Sequence, residues 1–155
     1  MMPETYDHNK KSVTHGMARV YRIRMHYAPT GTPSKPVLLL LHGTSKTHYY
    51  WYRLKPIFST HFQSVAPDLW GFGATDKPPA GDGYDGRKNA KDMIKLIDQL
   101  GRDKFAVHSE DRGGTFEFCL AGLYPERVSH LRFCEMALST ILTQQSFFKR
   151  ENISA

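Results

Sequence analysis

The sequence predicts an α/β fold, a mainly parallel sheet flanked by helices, and three observations carry that expectation. The run Val37-Leu38-Leu39-Leu40-Leu41 is apolar without alternation and stops at His42-Gly43, the pattern of a strand covered on both faces. Helical spacing appears twice, at Ala90, Met93, Ile94 and Ile97 and again at Phe116, Cys119, Leu120 and Leu123, each set lying at i, i+3, i+4 and i+7. Phe105-Ala106-Val107 stands between them as another buried strand, so strand and helix alternate as in parallel sheets.

The remaining elements follow in chain order. Val13–Tyr27 alternates loosely around Gly16 and reads as an opening pair of antiparallel strands. Tyr49-Tyr50-Trp51 falls on a helix leading to Pro56. Ser64-Val65-Ala66 is a short strand closed by Pro67-Asp68 and the glycine loop Trp70-Gly71-Phe72-Gly73. Gly101 stops the first long helix and Pro125 ends the second. Leu131–Leu138 is the last expected strand. Residues 1–138 therefore form one core domain, and residues 139–155 form a poorly patterned tail.

Bulk composition excludes several classes. The 155 residues are 40% apolar and 23% charged, ordinary for one globular domain. The sequence holds no apolar run of 18 residues and no apolar segment near its N-terminus, so neither a membrane span nor a secretory signal is expected. Cys119 and Cys134 suggest neither a disulfide framework nor a metal site. A cytoplasmic location is the default. The net charge of +6 draws on Arg87, Lys88, Lys91 and Lys95, which share a helix and read as a solvated face. An interaction protein using that helix is the outlying alternative. With no nucleic-acid motif beside these residues, no nucleic-acid partner is expected.

The chemistry centres on "VHSEDRGGTFEF", residues 107–118, where a strand meets a helix through a tight turn. Small residues at Ser109, Gly113 and Gly114 permit a strained elbow, with Asp111 at its apex. A carboxylate is ionised at neutral pH and can attack carbon without a base. The competing reading makes Asp111 the N-cap of the following helix. In an open parallel sheet, ligands bind beyond the carboxyl ends of the strands. His42-Gly43-Thr44, Asp111-Arg112 and Glu135 all fall there.

Four stretches, "LLLLHGTSKTHYYWYRL", "VAPDLWGFGATDKP", "VHSEDRGG" and "YPERVSHLRFCEM", resemble the α/β-hydrolase fold family. Within it they look like the aspartate-nucleophile branch of epoxide hydrolases, haloalkane dehalogenases and fluoroacetate dehalogenases. The likeness covers the first half of a typical member, without the cap domain or last strands. It implies that Asp111 is the nucleophile and that the amides of Thr44 and Arg112 hold the oxyanion. It also implies that Arg112 and His42 line the substrate position and that Glu135 is a candidate triad acid. Asp68, Gly71 and Gly73 become a supporting loop, with Trp70 where relatives carry arginine. The substrate would be a small epoxide or a halogenated acid or alkane, with no cofactor and no metal.

Departures from the pattern matter. Haloalkane dehalogenases carry tryptophan and asparagine where this chain has Arg112 and Thr44, and epoxide hydrolases usually have proline at Ser45. Arg112 is equally an exposed first-turn residue, and Glu135 a strand-end glutamate facing water. The family's base histidine lies far downstream, whereas the histidines here are at 8, 15, 26, 42, 48, 61, 108 and 130. The base histidine is thus absent from these residues, and full turnover is not expected. A non-catalytic truncated isoform or binding module of the same fold is the alternative. The last strand would leave an apolar sheet edge open to self-association.

Overall fold

The computed structural model describes residues 6–79 and 84–135. Among the described residues six strands form one sheet in the order β1-β2-β4-β3-β5-β6. β1 (Gly16–Val20) and β2 (Ile23–Thr30) are the expected antiparallel pair, with Gly16 opposite Tyr27. β2 also pairs antiparallel with β4 (Gln63–Pro67). The other pairings are parallel: β4 with β3 (Val37–Leu41), β3 with β5 (Phe105–Glu110), and β5 with β6 (Val128–Cys134).

The apolar run of β3 is continuous because both faces of the central strand are covered. Val37, Leu39 and Leu41 face the larger core, where Val65, Phe105 and Val107 meet Met93, Leu96, Ile97, Phe116 and Leu120. The helices supplying that core are α2 (Gly86–Gln99) and α3 (Arg112–Leu123). Leu38 and Leu40 turn to the opposite face and pack with Trp51 and Ala66, flanked by Leu54 and Phe58. That second layer is thin. A 3-10 turn at His48–Trp51 and the short helix α1 (Lys55–Phe58) provide its cover.

Three expectations are corrected in detail. The aromatic segment forms the 3-10 turn and not a longer helix, and Pro56 opens α1 at a first-turn position, where its missing N–H costs nothing. β5 runs three residues past Val107, because His108 and Ser109 are buried despite being polar. The last strand is β6 and begins at Val128; positions 136 to 138 lie outside the described residues. Asp85 caps α2 by accepting from the Lys88 N–H at 2.8 Å, and Gly101 closes it at φ +70°. Arg87, Lys88, Lys91 and Lys95 are all exposed, as a solvated face requires. Among the described residues no helix is long and apolar enough to cross a membrane.

Candidate active site

The carboxyl ends of β3, β5 and β6 meet around Asp111. The residue sits at φ +51° and ψ −121°, a region costly for any residue with a side chain. Neighbouring contacts hold it there. Its N–H donates to the Cys134 carbonyl at 3.1 Å, and its own carbonyl accepts from Gly114 at 3.0 Å. α3 must approach β3 closely: a Cβ on Gly113 would stand 2.4 Å from the Leu41 carbonyl oxygen. Gly43 is required from the other side, since a Cβ there would lie 2.7 Å from the Asp111 side chain.

The Asp111 carboxylate is half-buried and makes no capping hydrogen bond to α3, which removes the N-cap reading. Oδ2 instead accepts from the Thr44 N–H at 3.0 Å, from the loop after β3. The Arg112 amide occupies the first helical position, where no intrahelical acceptor exists. Thr44 thus brings a backbone donor to the elbow from the loop after β3, and Arg112 adds the free amide of the first turn of α3.

The other sequence-predicted residues divide. Ser109 is no nucleophile: it is wholly buried, and its hydroxyl donates to the Glu117 carboxylate. Glu117 also accepts from the Arg132 N–H at 2.8 Å, tying α3 to β6. His42 was expected to line the substrate position and does not. It is fully buried, its Nδ1–H donates to the Gly43 carbonyl at 2.8 Å, and its Nε2 accepts from the Leu69 N–H at 3.0 Å. Burial pushes its pKa down, so the ring stays neutral and braces the loop. Arg112 turns its guanidinium to the Tyr84 carbonyl at 3.3 Å and lies 5.9 Å from the Phe116 ring centroid. Glu135 follows β6 at φ +53° with its residue exposed. It follows Cys134, whose carbonyl accepts from Asp111.

Sequence reading missed Lys46, Glu110 and Tyr50. Lys46 Nζ donates to the Glu110 carboxylate at 2.8 Å and lies 4.0 Å over the Tyr50 ring. Burial pushes the Glu110 pKa up, but hydrogen bonds from Lys46 and Tyr50 outweigh it and hold the group below its ordinary value. This pair joins the loop after Thr44 to the residue before Asp111. Periodicity carried no trace of it, because the partners are 64 positions apart. An open groove of about 750 Å³ runs beside them, bordered by Tyr50, Trp51, His108, Glu110, Arg132 and Glu135.

The glycine loop after β4 holds a second carboxylate, Asp68, in different surroundings. Oδ1 accepts from the His48 N–H at 2.7 Å and the His48 ring Nδ1 at 2.9 Å. Oδ2 accepts from His26 Nδ1 at 2.8 Å and the Ala74 N–H at 2.9 Å. Burial would raise the Asp68 pKa, yet these donors hold it well below the usual carboxylate range. Gly73 is needed at φ +51° because a Cβ would overlap the Asp68 carboxylate. Trp70 donates its indole N–H to Asp92 at 2.8 Å. Even so, burial raises the Asp92 pKa to about 7.

Comparison with known proteins agrees with this geometry. A family model for the alpha/beta hydrolase fold matches residues 36–150. The soluble epoxide hydrolase of Corynebacterium sp. (strain C12) is 36% identical over 135 residues, covering 87% of this chain and 46% of that protein. The solved epoxide hydrolase CorEH, without ligand, superposes with a TM-score of 0.76 at 35% identity, over 80% of this chain and 42% of that one. The epoxide hydrolase VrEH1 of Vigna radiata gives 0.74 at 30% identity, over 78% and 37%. The chain therefore spans less than half the length of the relatives it matches.

Proposed function

We infer the function of this chain from one premise: it belongs to the α/β-hydrolase fold family, with epoxide hydrolases among its relatives. Asp111 is proposed as the nucleophile of an epoxide-opening reaction. The observation that carries this is its placement, a carboxylate on a strained turn, uncapped, and 3.0 Å from the Thr44 amide.

In the proposed step, an Asp111 oxygen forms a bond to one epoxide carbon and the carbon–oxygen bond of the ring breaks. The products are an alkyl ester on Asp111 and an alkoxide, which takes a proton from water. No base is needed, because the attacking group is already an anion. When water later adds to the ester carbonyl, the Thr44 and Arg112 amides are the donors that would hold the oxyanion. That second step needs a base. Among the described residues no histidine is hydrogen-bonded to Asp111: His26 and His48 face Asp68, His42 faces Gly43 and Leu69, and His108 donates to the Arg132 carbonyl. The alkylation half-reaction is therefore what these residues support, with Glu135 placed near the elbow as the candidate partner of a base.

Halogenated acids are the second substrate class of the branch. The Arg112 guanidinium faces Tyr84 and Phe116, which favours the epoxide reading over a carboxylate grip. Incubating the chain with a small terminal epoxide and weighing it intact tests the proposal. One added epoxide mass per chain is expected, and none in Asp111→Asn. A folded chain that gains no mass would instead support the non-catalytic reading.

A further inference from the structure

The described residues contain a second polar centre that epoxide opening does not use. His26 from β2, His48 from the loop after β3, and Asp68 from the loop after β4 are 6%, 3% and 0% exposed. One ligating atom of each lies within 4.8 Å of the others. The ring nitrogen that each histidine turns to Asp68 is Nδ1. Two imidazoles and a carboxylate from three separate segments form the donor set of zinc and related divalent transition metals.

Two surrounding features fit an ion. A metal-bound imidazole normally uses its other nitrogen to hydrogen-bond an outer partner, and His26 Nε2 lies 2.9 Å from Nδ1 of His15. His15 is solvent-exposed and stacks on His26 with ring centroids 5.1 Å apart. Lys55 supplies the second feature. Its side chain is wholly buried, it interacts electrostatically with both Asp68 and His15, and its Nζ has no hydrogen-bond partner. A buried donor in that state calls for an acceptor.

We propose that His26, His48 and Asp68 form a binding site for a divalent transition metal, zinc being the best match, with His15 as the outer partner of His26. The ion takes the place of the two Nδ1 protons, each imidazole carrying its proton on Nε2 instead. Ligand distances of about 2.0–2.2 Å require the side chains to close around the ion from their hydrogen-bonded spacing. The site would clamp β2 to the loops after β3 and β4.

Equilibrium dialysis of the metal-free 155-residue chain against zinc, with bound metal counted by mass spectrometry, tests this directly. Cobalt provides a visible spectrum of the occupied site. One ion per chain is expected, with intense cobalt bands and a thermal midpoint raised by roughly 5 °C under saturating zinc. His48→Gln should weaken binding at least 100-fold. His15→Gln, a change at an exposed residue, should weaken it roughly 10–100-fold. His130→Gln, an exposed histidine on β6, should leave it unchanged. A folded chain that binds less than one ion, or binding that survives His48→Gln or His15→Gln, overturns the proposal.

Discussion

Asp111 and Asp68 are both aspartates in loops at the carboxyl end of the sheet, and their surroundings are opposite. Asp68 is fully buried and receives four N–H donors. Asp111 is half-buried, and its side chain receives the Thr44 N–H. A carboxylate with its lone pairs spent on donors is a poor nucleophile and a good fastener. One held on a strained turn with lone pairs free is the reverse. On the proposed reading, burial and hydrogen-bond saturation decide which acid is available to react. The residue type does not.

The largest effect expected from this contrast is on stability. Asp68→Asn takes the charge from a buried group that four donors depend on and should cost roughly 3–5 kcal/mol. Asp111→Asn should change stability by less than about 0.5 kcal/mol. Urea unfolding of both variants measures the difference, and equal losses would break the comparison. The pH dependence has a definite sign. The folded-state pKa of Asp68 lies below its unfolded value, so its stabilisation is complete above about pH 4 and is lost as pH falls further.

Gly113→Ala comes next. Its Cβ would meet the Leu41 carbonyl at 2.4 Å, and forcing α3 off β3 should cost about 2–3 kcal/mol. The same displacement tilts the elbow, so epoxide labelling should slow as well. Gly122→Ala, in open space on the same helix, should be neutral or slightly stabilising. Comparing the two by thermal unfolding separates close packing from helix propensity.

Lys55 sharpens the account of the buried side. Desolvation lowers its pKa to about 8, against a partial counter-effect from Asp68. Below pH 8 the amine is charged in both states, and its burial costs stability throughout. Between pH 8 and its unfolded value near 10.4, the unfolded chain binds a proton the folded chain lacks, so stability rises with pH. Lys55→Met should therefore stabilise the protein by roughly 2 kcal/mol at pH 7, with the gain shrinking toward pH 10. The smallest effect belongs to the strained turn. Asp111→Gly relieves the φ of +51° and should stabilise by about 1 kcal/mol while abolishing labelling.

Much of the fold was legible because β3, α2 and α3 bury apolar side chains at the periods their geometry imposes. The elbow was legible for a similar reason, since small residues at fixed offsets are a local requirement of the turn. β6 shows where this stops. Its apolar residues were read as an open sheet edge, and Leu131 and Phe133 are 47% and 50% exposed, leaving apolar surface along the outermost strand of the described sheet. Apolar pattern reports what a strand could bury and not what covers it. The placement of His42 failed, because its partners Gly43 and Leu69 supply backbone groups that leave no mark in the sequence. The Lys46–Glu110 pair and the histidines around Asp68 were equally hidden, joined only by the folding of distant segments.

The most direct measurement of the central claim is the position of the covalent mark. After incubation with a small terminal epoxide at neutral pH, the chain is digested and the modified peptide sequenced by mass spectrometry. The account predicts one ester, on Asp111, with Asp68, Glu110 and Glu135 unmodified and with the label lost in Asp111→Asn. A label on Asp68, or one spread evenly over the exposed carboxylates and Cys134 with Asp111 untouched, would contradict it.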